Sequence, residues 1–165
     1  MNVTLREYTG ESTGMCALIR AFWLAHNGYV QTEEEAVEDL AAWTQAGHKL
    51  YFIRAEEEDV GFVHLGSRGA EPDWLEDIFV LPAFQGKGIG TAAIRLTERI
   101  VMQYSDCLYI EAAARNERAI RLYRKIGYDC LNTITIRKDF LPEKEHTVSK
   151  QTLFGMDFAV RTRKN

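Results

Sequence analysis

The run Trp74-Leu-Glu-Asp-Ile-Phe-Val-Leu-Pro-Ala-Phe-Gln-Gly-Lys-Gly-Ile-Gly-Thr91 constrains this chain more than any other. It reads as an apolar strand (Ile78, Phe79, Val80, Leu81) closed by Pro82, then a loop with glycines at 86, 88 and 90 that feeds an amphipathic helix. Three glycines let a backbone approach an anion closely. The unpaired N–H groups at the start of the next helix point at that anion with the positive end of the helix dipole behind them. A strand, a phosphate seat and a helix therefore follow one another within eighteen residues.

Three anion-binding patterns compete for the loop. A P-loop needs Gly-Lys-Ser/Thr at its close, and the Gly-Lys here is followed by Gly88, which removes the hydroxyl that would hold magnesium. The dinucleotide fingerprint G-x-G-x-x-G/A is formally met by Gly88, Gly90 and Ala93, with Glu111 about twenty residues on as the ribose-binding acid. In that fold, however, the glycines turn directly out of the strand, whereas Leu-Pro-Ala-Phe-Gln separates Val80 from Gly86. The dinucleotide reading stays as a minor alternative. The third pattern, Q/R-x-x-G-x-G/A, is met by Gln85, Gly88 and Gly90.

On that third pattern the run resembles the acetyl-CoA signature of the GNAT N-acetyltransferase superfamily, and its longer form is most similar to the diamine (spermidine/spermine-type) acetyltransferases. A second block agrees with it. Asn116-Glu-Arg-Ala-Ile-Arg-Leu-Tyr123-Arg-Lys-Ile-Gly127-Tyr128 resembles the superfamily's Asn-led helix that carries a Tyr and ends at Gly-Phe/Tyr. The two blocks lie in the expected order within residues 74–128, a third of the chain.

Composition narrows the classes further. A chain of 165 residues suits one domain, and the resemblance implies that residues 1–165 form a single N-acetyltransferase domain. A net charge of -4 argues against a general nucleic-acid binder. No apolar run approaches a membrane span, and the first residues lack a signal peptide's basic start and apolar middle, so the expected location is the cytoplasm. Cys16, Cys107 and Cys130 have no metal-type spacing and read as small buried hydrophobes; His26, His48, His64 and His146 are scattered, so no metal is expected. The expected partners are a small-molecule amine and a second copy of the chain, making a homodimer, with neither nucleic acid nor membrane.

The patterning along the chain predicts a strand over residues 2–8, then a helix bearing Met15, Leu18, Ile19, Phe22, Trp23 and His26, capped by Ser12 or Thr13 and stopped at Gly28. Thr32 and Glu35 form a capping box for a second helix whose Val37, Leu40, Ala41 and Trp43 turn inward, with a solvated or substrate-facing acidic start. Residues 50–55 and 60–65 predict a hairpin with a charged tip. After the glycine loop come a long helix with Ile89, Ala93, Leu96 and Ile100 on its core stripe, a short strand over 107–111, and the Asn116 helix. A strand through Ile134 and Ile136 and a last strand over 152–160 complete the pattern. The fold class is α/β (α+β). The resemblance implies a GNAT-like, mixed, mostly antiparallel sheet of about seven strands flanked by about four helices.

Acetyl transfer from a thioester to an amine needs a pyrophosphate seat, an aligned pantetheine arm, an unprotonated amine and a proton for the departing thiolate. The backbone of Gly86, Lys87, Gly88, Ile89, Gly90 and Thr91 supplies the seat, with Gln85 and Lys87 able to add side-chain donors. The resemblance places Ile78, Phe79 and Val80 beside the pantetheine of acetyl-CoA, the cosubstrate, where an unpaired strand edge bonds the ligand's amides. A primary alkylamine titrates near ~10.4, so a base is required. Glu76 and Asp77 precede the cofactor strand, and strict alternation sends them to opposite faces. In the diamine acetyltransferases the carboxylate at the position of Glu76 is the proposed base. Tyr123, a phenol with a pKa near ~10, can protonate a thiolate whose thiol titrates near ~8.5, and packing in the apolar stripe is its other explanation. Asn116 is both a helix cap and, by resemblance, a cofactor contact. No cysteine matches a family position, which implies direct attack with no acyl-enzyme. The acceptor stays open among polyamine, aminoglycoside, amino-acid and protein amines, and a non-catalytic CoA-binding module is the reading from another class.

Overall fold

The computed structural model describes residues 2–164. The chain divides into two compact units, one running to Glu111 and one starting at Ala112.

The first unit is built on a five-stranded sheet in sequence order, β1 (Val3–Glu7), β2 (Lys49–Ala55), β3 (Glu58–Gly66), β4 (Trp74–Val80) and β5 (Tyr109–Ile110). The first four strands are antiparallel, and β5 runs parallel to β4. Antiparallel neighbours with short connections are what a strand-turn-strand sequence favours, and they exclude the doubly wound parallel sheet that the dinucleotide reading required. One register row crosses four strands, Arg6–Phe52–Phe62–Phe79. Strand alternation places these side chains on one face, where the Arg6 guanidinium lies 4.3 Å from the Phe52 ring centre and the rings of Phe62 and Phe79 are 6.0 Å apart.

Helices α1 (Ser12–Asn27) and α2 (Glu33–Trp43) cover that face. Met15, Cys16, Leu18 and Ile19 of α1 and Ala36 and Leu40 of α2 form one buried cluster with Leu50, Phe52, Phe62 and Phe79. Gly28 ends α1 in the left-handed conformation (φ 75°), and the Thr32–Glu35 capping box opens α2, as the sequence predicts. The α1 cap differs: Glu11 precedes the helix, and Ser12 and Thr13 are its first residues. On α2 the inward stripe is Ala36, Leu40 and Trp43. Val37 is half exposed and Ala41 is exposed, because each lies about 100° round the helix from that stripe.

Helix α3 (Ile89–Val101) buries Ile89, Ala93, Ile94, Thr97 and Val101, a stripe rotated from the expected one, with Leu96 and Ile100 at its margin. A β-carbon on its Gly90 would meet Val80, which points away from the Phe79 face, so α3 lies against the other side of the sheet. The charged hairpin tip is shorter than its sequence suggests: Glu56, with φ 55°, and Glu57 turn the chain, and Asp59 is drawn back into β3 by Arg6 and Arg54.

The second unit holds α4 (Glu117–Lys125) and a two-stranded antiparallel sheet of β6 (Glu145–Leu153) and β7 (Met156–Arg163). The count of four helices and seven strands matches the sequence reading, with the strands divided between two sheets among the described residues. Two strand positions shift. No strand forms at Ile134 and Ile136, whose side chains are exposed and whose backbone has no ladder partner. The run 152–160 is no single strand either. It straddles a tight turn at Phe154 (φ 53°) and Gly155 (φ 74°), and the apolar alternation hides that glycine's turn signal. Cys16 is buried as expected, but Cys107 and Cys130 are exposed, because β5 begins only at Tyr109 and no element surrounds Cys130.

Gly61 is where the sheet tolerates no side chain, since a β-carbon there would overlap the backbone carbonyl oxygen of Phe79. Gly61→Ala is expected to destabilise the protein by about 3 kcal/mol through backbone overpacking, read as a lowered urea midpoint.

Candidate functional site

Strand β4 is paired along its length on one edge and barely on the other. Against β3 its register runs from Trp74 to Val80, whereas β5 meets it only at Trp74–Tyr109 and Leu75–Ile110. Beyond Leu75 the β5-side edge, which includes Ile78, Phe79 and Val80, has no strand partner among the described residues. Such an edge offers backbone donors and acceptors to an extended, amide-bearing ligand. The two-residue contact with β5 is fixed by side chains: Trp74 stacks on Tyr109 at 4.9 Å, and Tyr109 donates its N–H to the Asp73 carbonyl.

The chain leaves β4 through a single 3-10 turn, Pro82–Phe84, and enters the glycine loop. Gly86 and Gly88 have φ of 76° and 82°, conformations that L side chains rarely adopt, and the space where a β-carbon would stand is open at both. Gly88 occupies the cap position of α3, and no side chain caps that helix. The first N–H groups of α3 therefore have no protein acceptor of the usual capping kind, which is the arrangement that receives a phosphate. Gln85 is spent locally, donating its side-chain amide to the Val80 carbonyl at 2.9 Å, so it shapes the turn from strand to loop. Lys87 stands with its ammonium 5.1 Å from the Phe84 ring centre.

Glu76 is the extra residue of a β-bulge. The register steps from His64↔Asp77 to Leu65↔Leu75 and leaves Glu76 without an opposite number. The bulge cancels the alternation expected between the two acids. Asp77 hydrogen-bonds to His64, and the Glu76 carboxylate lies over Gly66, on the face that His64 and Gly66 share. Both Glu76 oxygens are engaged by Arg68, Oε1 by Nη1 and Oε2 by Nη2, the latter at 3.1 Å. The Arg68 guanidinium also covers Trp74 at 4.6 Å.

Two histidines far apart in the sequence, His48 and His64, stand beside these acids. His64 is buried, its Nδ1 2.9 Å from Asp77 Oδ2 and its Nε2 2.8 Å from His48 Nδ1. Trp43 stacks on His64 at 4.7 Å and His48 stacks on it at 5.1 Å. Burial, assisted by His64, pushes the His48 imidazole below its ordinary value, with Glu76 pulling the other way. No local signal marks this pairing: it is the antiparallel register of β3 and β4 that puts His64 opposite Asp77.

Asn116 and Tyr123 belong to the second unit. Asn116 caps α4 by accepting from the Ala119 N–H at 3.2 Å. The helix closes in a Schellman motif, with the Tyr128 N–H bonded to the Tyr123 carbonyl, the Gly127 N–H to that of Arg124, and Gly127 at φ 112°. Tyr123 is half-buried against the Tyr128 ring, and burial raises its phenol above the usual value.

Comparison with known proteins decides the family. Residues 15–128 match the acetyltransferase (GNAT) family. The chain belongs to that family. It is accordingly an acyltransferase of the acetyl-CoA-dependent N-acetyltransferase class. No curated protein matches it. Among solved structures, it is similar to the aminoglycoside N-acetyltransferase AAC(6')-Iy, solved with the bisubstrate analogue CoA-S-monomethyl-acetylneamine, at 16% identity over 84% of this chain and 99% of that one, with a TM-score of 0.63. It is similar to a ribosomal-protein-alanine N-acetyltransferase from Brucella melitensis biovar Abortus 2308, at 18% identity over 83% and 100%, TM-score 0.62. A transcriptional regulator from Bacillus halodurans C-125 has a TM-score of 0.64 at 16% identity over 84% and 100%. At these identities the likeness is one of fold. No helix among the described residues is long and apolar enough to cross a membrane.

The lowered His48 value carries a stability consequence. The unfolded chain binds a proton on this imidazole near about pH 6.5, and the folded chain binds it only lower. Its contribution is therefore complete above about 6.5 and lost as pH falls below it. Urea midpoints between pH 8 and pH 5 are expected to drop on the acid side, and to drop less in His48→Gln.

Proposed function

We propose that the protein transfers the acetyl group of acetyl-CoA to a primary amine of a small cationic molecule by direct attack. The observation that carries this reading is the open edge of β4 leading straight into the uncapped, glycine-lined start of α3. The pyrophosphate sits on the N–H groups of Gly86 to Thr91, and the pantetheine amides pair with Ile78 to Val80, continuing the sheet. The same edge holds the thioester carbonyl as charge develops on its oxygen.

On the acceptor side, Glu76 meets the ammonium and takes up its proton, and the Tyr123 phenol returns one to the CoA thiolate; Asn116 supports the cofactor from the α4 cap. The raised phenol value keeps Tyr123 protonated throughout the neutral range. A cationic acceptor is supported by the net charge of -4 and by the likeness of the loop stretch to diamine acetyltransferases. Several of the acidic groups already have local partners, Glu33 with Arg20, Asp59 with Arg6 and Arg54, and Glu76 with Arg68, while Glu34 and Glu38 have no ion pair among the described residues and add to the negative field. With this reading go a cytoplasmic location and a homodimer, the latter testable by light scattering.

A second reading, a CoA-binding module without turnover, is favoured by one observation, the engagement of both Glu76 oxygens by Arg68. Thiol release from acetyl-CoA over a panel of primary amines separates the two. Turnover that is fastest on polyamines and weakens with salt supports the enzyme reading, and CoA binding with no amine-dependent release supports the module.

The cofactor seat has its own test. Gly88→Val places a β-branched residue at φ 82° on the phosphate's approach and is expected to abolish acetyl-CoA binding in calorimetry with an unchanged circular dichroism spectrum. NAD should give no heat with the wild-type protein; tight NAD binding without a CoA signal would reverse the assignment.

A further inference from the structure

Glu76 leaves the acceptor's proton with no evident outlet, because both carboxylate oxygens are already engaged by Arg68. A proton taken up there displaces an ion-pair contact and has to move on.

With Asp77 ionised and both imidazoles neutral, the hydrogen-bond chain beside it has one arrangement of protons. An ionised Asp77 only accepts, so His64 Nδ1 must donate to it. A neutral imidazole carries one N–H, so His64 Nε2 is an acceptor and His48 Nδ1 must be the donor of the 2.8 Å bond. The lone pair of His48 is then on Nε2, which holds no hydrogen bond among the described residues, on a ring that reaches solvent. A histidine kept only for packing would be satisfied by Asp77 and end there. Here the buried ring passes its second nitrogen to another imidazole, and the chain ends at an open base.

We propose that His48 Nε2 receives the proton that leaves the acceptor amine, with His64 and Asp77 as positioning residues that fix its tautomer and share the resulting charge. This rests on the acetyltransferase reading above and assigns that site a proton outlet. The acceptor ammonium gives one proton, by way of Glu76, to His48 Nε2, and the free amine bonds to the acetyl carbon. The C–S bond then breaks, the thiolate takes a proton from Tyr123, and the second proton shed by the nitrogen restores the Tyr123 phenol. The Nδ1 proton of His48 can shift to His64 Nε2, placing an imidazolium against the Asp77 carboxylate, so the gained charge is paired inside the fold. Loss of that proton to solvent resets the relay.

Position agrees with the role. Asp77 and Phe79 share a face of β4 and are about 7 Å apart along the strand, so the relay borders the stretch that lines the pantetheine. The titratable and charged groups acting on His48 are His64, Glu76 and Arg68, with Asp77 behind His64; α2 contributes only the neutral Trp43 ring.

Two experiments test the relay. In nitrogen-15 NMR of the full chain without ligand at pH 7.5, the expected pattern is Nδ1–H on both His48 and His64; an Nε2–H tautomer of His48 would overturn the proposal. In steady-state kinetics with acetyl-CoA and the best acceptor of the amine panel, His48→Gln is expected to lower kcat/KM about 100-fold at pH 7 and to recover as pH rises and free amine becomes abundant, with acetyl-CoA affinity unchanged. Asp77→Asn should keep both imidazoles and move the acid limb of the pH profile to lower pH, since the imidazolium loses its counter-ion. A His48→Gln enzyme with the wild-type rate and acid limb makes the chain a structural one and ends the proposal. No turnover by the wild-type protein on any amine would overturn acetyl transfer itself, while the NMR pattern would still report the relay's geometry.

Discussion

The site depends on one asymmetry in hydrogen bonding: β4 is paired from Trp74 to Val80 on its β3 edge and at two residues only on its β5 edge. An unpaired strand edge inside a folded unit is a cost, since its polar groups need partners. It persists here because the other edge is secured by a register row of aromatic side chains covered by α1 and α2, and because the Trp74–Tyr109 stack holds β5 at the start of β4. The fold thus keeps a gap whose backbone donors and acceptors an amide-bearing ligand can pair.

The bulge at Glu76 is the second device on the same strand. By adding one residue against β3 it brings two adjacent acids to one face, which a regular strand cannot do. One acid then pairs with Arg68 and the other with His64, so neighbouring carboxylates acquire different environments. Different environments for adjacent acids are how a site separates binding from proton transfer. Gly66 makes room for this arrangement, since a β-carbon there would run into the Glu76 side chain.

The turn, glycine loop and helix start after β4 were the most legible part of the sequence, because glycine spacing, a following amphipathic helix and Pro82 are local signals. The capping box at Thr32 and Glu35 and the stops at Gly28 and Gly127 were legible for the same reason. What was hidden depends on register. The faces of Glu76 and Asp77 follow from a bulge, and the His48–His64–Asp77 chain joins residues 16 and 13 positions apart. The turn at Phe154 and Gly155 was masked by an apolar alternation that continues across it. Burial of Cys107 and Cys130 failed because apolar neighbours in sequence say nothing of what packs above a residue.

The central claim is that acetyl-CoA completes the ladder along the open edge of β4, and amide hydrogen exchange measures it directly. Adding acetyl-CoA should slow exchange in the segment spanning residues 77–80 and at the start of α3, residues 88–91, with β1 and β2 unchanged. Binding of acetyl-CoA that leaves exchange in both segments unaltered would contradict the account.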